Sequence, residues 1–266
     1  MEATQCSAQE MACFAQDIAR QAGLQALEWF RNPVAVHTKA DSSPVTEADR
    51  KTELFLRAAI SERFPDHAIW GEEFGGACDA PGPLWVIDPI DGTRSFITGS
   101  PLWGTLLALT DEGRPRLGVI EMPALQERWV GQAGLGSWFR DRQTDTKPCR
   151  VRPCITLSEA RFYTTSPRYF TSDEQKGIEA ICDKVSIARF GGDCYNYGML
   201  ALGHIDLVIE TLLQPYDYMA LVPVIEGAGG IITDWDGAAL GLGSDGRVIA
   251  AATPQLHAAA LEQLRG

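Results

Sequence analysis

The sequence predicts an α/β protein built from layers of helix and sheet, and three patterns indicate this class. Apolar residues recur at helical spacing in the N-terminal segment. Residues 102–140 read as consecutive short strands separated by tight turns. The C-terminal half then alternates helical and extended patterns, which is typical of stacked layers.

The N-terminal segment is predicted to form two helices with an extended piece between them. The first helix covers residues 7–31 and ends at an Asn-Pro pair. The extended piece covers residues 34–39. The second helix covers residues 46–64, with Thr46 as its N-cap and Asp49 at the capping-box position three residues later.

The middle of the chain is predicted to be mainly extended, because β-branched and aromatic residues stand between turns rich in Gly, Pro and Asp. The first long strand of this region is expected to break at Asp88-Pro89. The predicted strands are residues 67–70, 84–87, 102–110, 116–121, 127–133 and 136–140.

A polar connection, residues 141–153, contains two prolines and is the expected boundary between two halves. The N-terminal half is assigned residues 1–145 and the C-terminal half residues 146–266, and together they are expected to form one compact catalytic unit. The elements predicted in the C-terminal half are strands at 161–165, 205–210 and 230–233, and helices at 172–183, 193–202 and 218–228.

Composition argues against several classes of function. The chain has 266 residues and a formal net charge of -12, which disfavours nucleic acid and anionic membranes as partners. A phosphate-bearing substrate stays compatible, because a bound cation reverses the local field. The seven scattered cysteines include no CxxC pair and the four histidines lack ligand spacing, so we expect no zinc site and reduced thiols in the cytoplasm. We expect neither a signal peptide nor a transmembrane run.

Two aspartates stand at the end of an apolar strand in the stretch WVIDPIDGTRSFITG, residues 85–99. Asp-Pro and Asp-Gly pairs are common turn devices, so a simple turn is one interpretation of Asp88 and Asp91. Two carboxylates that face one pocket, however, repel each other unless a cation lies between them. Carboxylate oxygens suit hard divalent cations, and Gly92 allows the backbone to approach a ligand closely. Taken alone, the pattern is therefore compatible with both a turn and a cation site.

Further acids fit the same chemistry. Glu72 and Glu73 follow a short strand in WGEEFG, where a solvated loop is the alternative interpretation. Asp217 precedes an apolar helix in QPYDYMALVPVIEGAGG, where it would equally serve as a helix cap or first-turn acid. Their joint occurrence with DPIDGT favours the cation site.

The motifs WGEEFG, DPIDGTRSF and PYDYMALVPVIEGAGG together resemble the inositol monophosphatase-like family of metal-dependent sugar-phosphate phosphatases. The resemblance covers most of the chain, from VTEAD to the final EGAGG, and implies a layered αβαβα sandwich. The last motif departs from the family's tryptophan-aspartate form, because Tyr216 precedes Asp217. The arginine after DGT and the GGDCY segment are most similar to the histidinol-phosphate phosphatase branch.

The resemblance implies a magnesium centre with two or three ions per active site, in which Mn²⁺ would substitute. Glu72, Asp88 and the backbone carbonyl of Ile90 match the family's first site. Asp88, Asp91 and Asp217 match the second, so that Asp88 bridges the two. A third, weaker ion would lie near Glu72.

The resemblance also implies a mechanism in which a bound cation activates water for in-line attack on phosphorus. Thr93 matches the residue that hydrogen-bonds this water, and Asp49 matches the acid that orients Thr93. Thr93 and an acidic partner, either Glu72 or Asp49, would take the proton. A role for Asp49 as a helix cap alone is the alternative, and the two roles are compatible. Backbone N–H groups of Gly92 and Thr93 would hold phosphate oxygens if a helix begins there.

Four side chains are candidates for contacts with the rest of the substrate. Glu210, at a strand end, resembles the family's acid for the organic part, and Asp193 is either a second such acid or a helix N-cap. Arg94 and Arg189 are candidates for phosphate contacts, with salt bridges as the alternative. The expected substrate-binding residues are Glu72, Ile90, Asp91, Gly92, Thr93, Arg94, Arg189, Asp193, Glu210 and Asp217. The aromatic residues expected in the core or cavity wall are Trp103, Tyr195 and Tyr197.

These expectations define a magnesium-dependent phosphomonoesterase that hydrolyses histidinol phosphate to L-histidinol and phosphate in histidine biosynthesis. Inositol monophosphate, or another small sugar or nucleotide phosphate, is the alternative substrate. A metal-binding scaffold without catalysis is the alternative outside enzymes, and the complete set of acids speaks against it. The family resemblance further implies a homodimer.

Overall fold

The computed structural model describes residues 7–33, 36–38, 44–76, 78, 81–143 and 145–265. The helices in this part of the chain are α1 (Ala8–Leu27), α2 (Glu47–Arg63), α3 (Thr93–Ile97), α4 (Ser172–Cys182), α5 (Cys194–Ala201), α6 (Pro215–Tyr218), α7 (Leu221–Gly227) and α8 (Pro254–Arg265). The strands are β1 (Val36–Thr38), β2 (Pro44–Thr46), β3 (Ala68–Gly71), β4 (Leu84–Asp91), β5 (Gly104–Asp111), β6 (Arg114–Met122), β7 (Glu127–Gln132), β8 (Gly136–Arg140), β9 (Lys147–Pro148), β10 (Arg161–Thr164), β11 (Ile187–Phe190), β12 (Leu207–Glu210), β13 (Ile231–Thr233) and β14 (Val248–Ala251). None of the described helices combines the length and the apolar character needed to span a bilayer.

The elements stack in five layers, which confirms the layered αβαβα sandwich. Helices α1 and α2 pack on each other and on one face of a seven-stranded sheet. Helices α5 and α7 fill the space between this sheet and a five-stranded sheet. Helices α4 and α8 pack together on the far side of the five-stranded sheet. Each interface contains its own apolar cluster, because both faces of each sheet are covered and exclude water.

The seven-stranded sheet, in the order β3-β4-β5-β6-β7-β8-β9, positions the two acidic motifs. Strands β3 and β4 are parallel, whereas β4 and β5 are antiparallel. Strand β4 is buried on both faces. Leu84 and Val86 belong to the apolar cluster between the two sheets, which we call the middle cluster, and Trp85 and Ile87 belong to the cluster under α1 and α2. Because β3 and β4 are parallel, the loops that follow them lie at the same edge of the sheet.

The five-stranded sheet has the order β11-β10-β12-β14-β13, with β10 parallel to both of its neighbours. Its strand β12 ends at Glu210. The predicted connection, residues 141–153, contains β9, which pairs with β8 and so extends the seven-stranded sheet beyond residue 145. The division into two halves stays a prediction.

Both predicted N-terminal helices are confirmed, and side-chain caps explain where they begin. Ser7 caps α1, and Thr46 caps α2 in the predicted capping box with Asp49. Helix α1 ends at Leu27, one turn earlier than predicted. The predicted extended piece, residues 34–39, is described only where it forms β1, and its other residues lie outside the described part of the chain.

Two predicted boundaries are wrong, and a proline accounts for each. Strand β4 does not break at Asp88-Pro89 but continues to Asp91, because an irregularity in its pairing with β5 accommodates the residue without an N–H. The predicted helix 218–228 is two helices, α6 and α7. Pro223 cannot donate a hydrogen bond to the carbonyl of Met219, so the helix is interrupted there. The elements without a prediction are α3, α8, β2, β9, β11 and β14.

Candidate active site

The end of β4 is held in place by hydrogen bonds within its own irregular turn. The backbone N–H of Ile90 donates to Oδ1 of Asp88 at 3.0 Å. The hydroxyl of Thr105, on neighbouring β5, donates to the carbonyl of Pro89 at 2.9 Å. Both bonds replace the regular ladder where the strand bends, so the turn presents Asp88 and Asp91 in fixed positions.

Gly92 is required at the junction between β4 and α3. Its φ of 80° lies in the left-handed region, where residues with a side chain are strained. A side chain there would also come within 3.1 Å of the Asp193 carboxylate. Helix α3 begins directly after Gly92, as the expected phosphate contact requires, but the Gly92 backbone already hydrogen-bonds Asp91, which opposes the burial that raises the pKa of that carboxyl.

Three carboxylates converge beyond the end of β4. One oxygen each of Asp88, Asp91 and Asp217 lies within 4.8 Å of the others. Asp217 arrives from the first turn of α6, where its Oδ2 also accepts the backbone N–H of Gln214 at 2.6 Å. Asp217 is therefore both a first-turn acid and a member of this group, which we call the acidic cluster.

Positive side chains do not balance the acidic cluster. No lysine or arginine of the described residues forms an ion pair with Asp88, Asp91 or Asp217. Burial raises the pKa of Asp88 and of Asp217 well above the usual range, and neighbouring carboxylates raise both further. Burial also raises the pKa of Asp91, against hydrogen bonds from Cys194. Oxygen donors that repel one another in this way fit Mg²⁺ or Mn²⁺.

Glu72 lies beside the acidic cluster, in the loop after β3. It hydrogen-bonds Asp88, and its charge contributes to the raised pKa of Asp88 and of Asp217. Its oxygens are not among those that lie mutually within 4.8 Å. The parallel pairing of β3 and β4 thus brings the WGEEFG and DPIDGT motifs together at one edge.

Thr93 and Asp49 form a hydrogen-bonded pair at the same edge. The hydroxyl of Thr93 lies 3.5 Å from Oδ1 of Asp49 and 3.2 Å from the carbonyl oxygen of Ile90. The other carboxylate oxygen of Asp49 accepts hydrogen bonds from the backbone N–H of Thr46 at 2.8 Å and from its hydroxyl at 2.5 Å. Burial raises the pKa of Asp49, and the Thr46 bonds oppose this. Asp49 is therefore both a helix cap and a partner of Thr93.

A cavity of about 540 Å³ adjoins the acidic cluster, and two further acids line it. Asp91 and Asp217 line the cavity, as do Glu210 from β12 and Asp193 from the start of α5. Arg94 lines it too, and its charge opposes the burial that raises the pKa of Asp193. The cavity can hold a small molecule with an anionic end at the cluster and a different group at the far wall.

Glu210 is buried and hydrogen-bonded but has no ion-pair partner among the described residues. Its Oε1 accepts the backbone N–H of Thr165 at 2.8 Å and the hydroxyl of Thr165 at 2.9 Å. The hydroxyl of Thr164 lies 3.3 Å from its Oε2. Burial raises the pKa of Glu210 to about 8, and these hydrogen bonds oppose the shift.

Asp193 occupies the N-cap position of α5 without making a side-chain cap. Its φ of 46° is unusual for a residue with a side chain, and such strain is commonly found at functional sites. Its Oδ2 accepts the hydroxyl of Ser95 at 3.0 Å instead of a backbone N–H of its own helix. Burial is the largest cause that raises the pKa of Asp193 to about 7, and the negative charge of Asp91 is the second.

The structure brings together all but one of the expected site residues. Arg189 lies exposed on β11 at the edge of the five-stranded sheet and does not line the cavity. Tyr197 is buried in the cavity wall, whereas Trp103 is buried in a cluster with Phe96. Tyr195 packs on the middle cluster. Sequence reasoning missed the threonines that hold Glu210 and the serine that holds Asp193, because nothing local in the chain marks those contacts.

The layered fold and the carboxylate cluster define a metal-dependent phosphatase, and comparisons with known proteins place it. Residues 7–266 match the inositol monophosphatase family. The chain belongs to that family, whose members use Mg²⁺. It is 44% identical over 246 residues to the bifunctional phosphatase IMPL2, chloroplastic, of Arabidopsis thaliana, covering 89% of this chain and 70% of the relative.

Two further relatives point to different substrates. A histidinol-phosphatase of Chlorobaculum parvum is 36% identical over 225 residues, covering 84% of this chain and 85% of the relative. The solved structure of an inositol monophosphatase from Zymomonas mobilis superposes with a TM-score of 0.87 at 43% identity, covering 98% of this chain and 100% of that chain. The comparisons therefore place the chain in this family of metal-dependent phosphatases.

Proposed function

We propose that this chain is a magnesium-dependent histidinol-phosphatase that releases L-histidinol and inorganic phosphate and serves histidine biosynthesis. The observation that carries the proposal is a pair of carboxylates on the cavity wall, the buried Glu210 and the half-buried Asp193. No described lysine or arginine forms an ion pair with either. A substrate with an ammonium group and an imidazole would supply the missing positive charge.

The acidic cluster would hold Mg²⁺ at the phosphate end of the cavity. Asp88, Asp91 and Asp217 would bind one ion, and Asp88 with Glu72 and the Ile90 carbonyl would bind another, with a third near Glu72. When bound, Mg²⁺ supplies positive charge that activates water and stabilises the departing oxygen. The raised pKa of the metal-free carboxyls, caused by burial, explains why cation binding would release protons.

The remaining chemistry belongs to side chains of this chain. Thr93 would accept a hydrogen bond from the attacking water, because its own proton points to Asp49 or the Ile90 carbonyl. Asp49 or Glu72 would take the proton that the water loses. The oxygen of water forms a bond to phosphorus, the bond from phosphorus to the substrate oxygen breaks, and that oxygen takes up a proton. Arg94 and the N–H of Thr93 would contact phosphate oxygens.

Inositol monophosphate is the second candidate substrate. Carboxylates accept hydrogen bonds from hydroxyl groups as well as from cations, so Glu210 and Asp193 are compatible with a polyol. The 43% identity to the Zymomonas mobilis protein supports this alternative. The cytoplasmic location and the homodimer also remain proposals, and light scattering on the purified protein would test the dimer.

Parallel assays of phosphate release would decide between these substrates. Histidinol phosphate, inositol 1-phosphate and adenosine 3′,5′-bisphosphate are compared at the same Mg²⁺ concentration. We expect the largest kcat/KM with histidinol phosphate, and we expect the gene to restore growth of a histidine-requiring host without its own histidinol-phosphatase. Faster hydrolysis of inositol 1-phosphate would overturn the histidinol assignment. No metal-dependent release from any ester would favour the non-catalytic scaffold.

A further inference from the structure

The loop that carries Glu72 is a closed backbone turn. The N–H of Gly71 donates to the carbonyl of Gly75 at 3.0 Å, and the N–H of Gly75 donates to the carbonyl of Gly71 at 2.9 Å. The N–H of Glu72 donates to the carbonyl of Ile87 on β4 at 3.1 Å. These bonds fix both ends of the turn but leave the N–H groups of Glu73 and Phe74 to be satisfied elsewhere.

Glu53, a fully buried residue of α2, satisfies both of these groups. Its Oε2 accepts the N–H of Glu73 at 2.7 Å, and its Oε1 accepts the N–H of Phe74 at 3.3 Å. Nε of Arg57, one turn later on α2, lies 2.7 Å from Oε1 of Glu53. The same guanidinium donates to the Gly75 carbonyl. Glu53 therefore binds the backbone in the middle of the turn, and Arg57 binds the backbone at its last residue, Gly75.

We infer that Glu53 and Arg57 are positioning residues that set Glu72 for cation binding, which rests on the proposed metal role of Glu72. Glu53 follows Asp49 by four residues, so both carboxylates lie on one face of α2. Asp49 contacts Thr93 at the start of α3, directly after β4, while Glu53 holds the loop after β3. One helix face thus fixes the relative position of the two metal-binding loops.

Gly71 shows how closely the turn is built around Glu53. A methyl group at Gly71 would overlap the Glu53 carboxylate. The φ of Gly71 does not lie in the left-handed region, so this close approach, rather than backbone conformation, is what requires glycine. The contact gives a second way to displace the carboxylate without changing Glu53 itself.

Calorimetric titration of the whole protein with Mn²⁺ tests the inference. We expect Glu53→Gln to weaken Mn²⁺ binding by roughly 10–100-fold, as is usual when a partner of a metal ligand is lost. Arg57→Lys keeps the positive charge but loses the planar guanidinium that contacts both Glu53 and the Gly75 carbonyl. We therefore expect a smaller loss of Mn²⁺ affinity than in Glu53→Gln. The Mg²⁺ concentration for half-maximal turnover should rise in parallel, while kcat at saturating Mg²⁺ stays near wild type.

Glu121→Gln is the matched control. Glu121 is also buried and paired with an arginine, Arg128, but neither residue contacts the Glu72 loop. We expect Glu121→Gln to lower the melting temperature without changing Mn²⁺ affinity. Equal Mn²⁺ affinity in folded Glu53→Gln and wild type would overturn the inference.

Gly71→Ala retains Glu53 and keeps the test decisive if Glu53→Gln folds poorly, because unchanged Mn²⁺ affinity in this variant would also overturn the inference. Gly71→Ala should weaken Mn²⁺ binding in the wild-type background but have little further effect in a Glu53→Ala background, because the overlapping carboxylate is gone. Fully additive losses would contradict the inference. A wild-type protein that binds no Mn²⁺ would instead refute the proposed function itself, which separates the two failures.

Discussion

The protein buries two kinds of carboxylate, and they differ in what balances their charge. Glu121 and Asp206 are each paired with an arginine. Asp88 and Glu210 are also buried, and Asp91 and Asp217 are half-buried along the cavity, yet no described lysine or arginine forms an ion pair with any of them. Because an unbalanced buried charge is costly, the unpaired acids mark positions where a ligand completes the structure.

This difference distinguishes carboxylates that stabilise the fold from carboxylates that form the site, even when no ligand is bound. Asp206 receives two hydrogen bonds from Arg152, at 2.8 and 2.7 Å, and one from the backbone of Arg161 at 2.9 Å. Asp88 has carboxylate neighbours instead, and they raise its pKa beyond the effect of burial. Removing a paired acid should therefore cost stability, whereas removing an unpaired one should cost function.

Asp91→Asn gives the sharpest test of the unpaired class. The amide keeps the size and can still accept the N–H of Cys194, but it withdraws one charge from the acidic cluster. We expect metal-dependent phosphate release to fall by roughly 10³-fold, equivalent to several kcal/mol of transition-state stabilisation. The metal-free melting temperature should hold or rise, because repulsion is relieved. Wild-type turnover in this variant would refute the metal assignment.

Arg152→Met tests the paired class in the opposite direction. The change leaves Asp206 buried without its arginine, which we expect to lower the free energy of unfolding by about 3 kcal/mol. Urea denaturation measures this loss. Turnover per folded molecule should equal that of wild type, and a selective loss of turnover would show that the pair is more than framework.

Thr93→Val tests the proton path beside the cluster. The substitution preserves shape and removes the hydroxyl that contacts Asp49. We expect kcat to fall by about 10²-fold, the lower end for a positioned proton-transfer group, with Mn²⁺ affinity unchanged. Thr93→Ser keeps the hydroxyl and serves as the matched control. Equal kcat in the valine and serine variants would exclude a role for this hydroxyl.

Glu210→Gln separates the two candidate substrates. The amide can still accept the N–H of Thr165 but no longer carries the charge that a cationic substrate would meet. We expect kcat/KM for histidinol phosphate to fall by about 10–100-fold, the worth of a hydrogen bond to a charged group. Inositol 1-phosphate should be affected much less. An equal loss with both substrates would argue against recognition of a cation at this wall.

Glu210→Gln should also change how the free energy of unfolding depends on pH. This is the smallest of the five expected effects. Burial raises the pKa of Glu210 to about 8, so between pH 4.5 and 8 the folded protein keeps a proton that the unfolded chain has lost. Its stabilising contribution is complete below the unfolded pKa and is lost as pH rises towards 8. We expect wild type, measured against Glu210→Gln without divalent cations, to lose at least about 1 kcal/mol across this range. A constant difference would show that Glu210 titrates normally.

Local signals in the sequence account for much of the fold. Caps such as Thr46 and strand patterns such as the run before Asp88 depend on neighbouring residues, and their elements are confirmed. The strand irregularity at Pro89 and the helix interruption before Pro223 were missed, because whether proline ends an element depends on the partner strand or helix.

The candidate site divides in the same way. The acidic motifs could be found because each contains acids next to turn residues, and a resemblance to a family joined them. Ser95, Thr165 and Glu53 could not be found, since their partners Asp193, Glu210 and the Glu72 loop lie far along the chain. Long-range contacts of single polar residues leave no periodic or compositional trace.

Anomalous diffraction from crystals soaked in Mn²⁺ tests most directly whether the unpaired acids form a cation site. We expect strong peaks between Asp88, Asp91 and Asp217, with a further peak on the side of Glu72, and none at the arginine-paired Asp206 or Glu121. Carboxylates that turn away from one another with no peak between them would contradict the central claim.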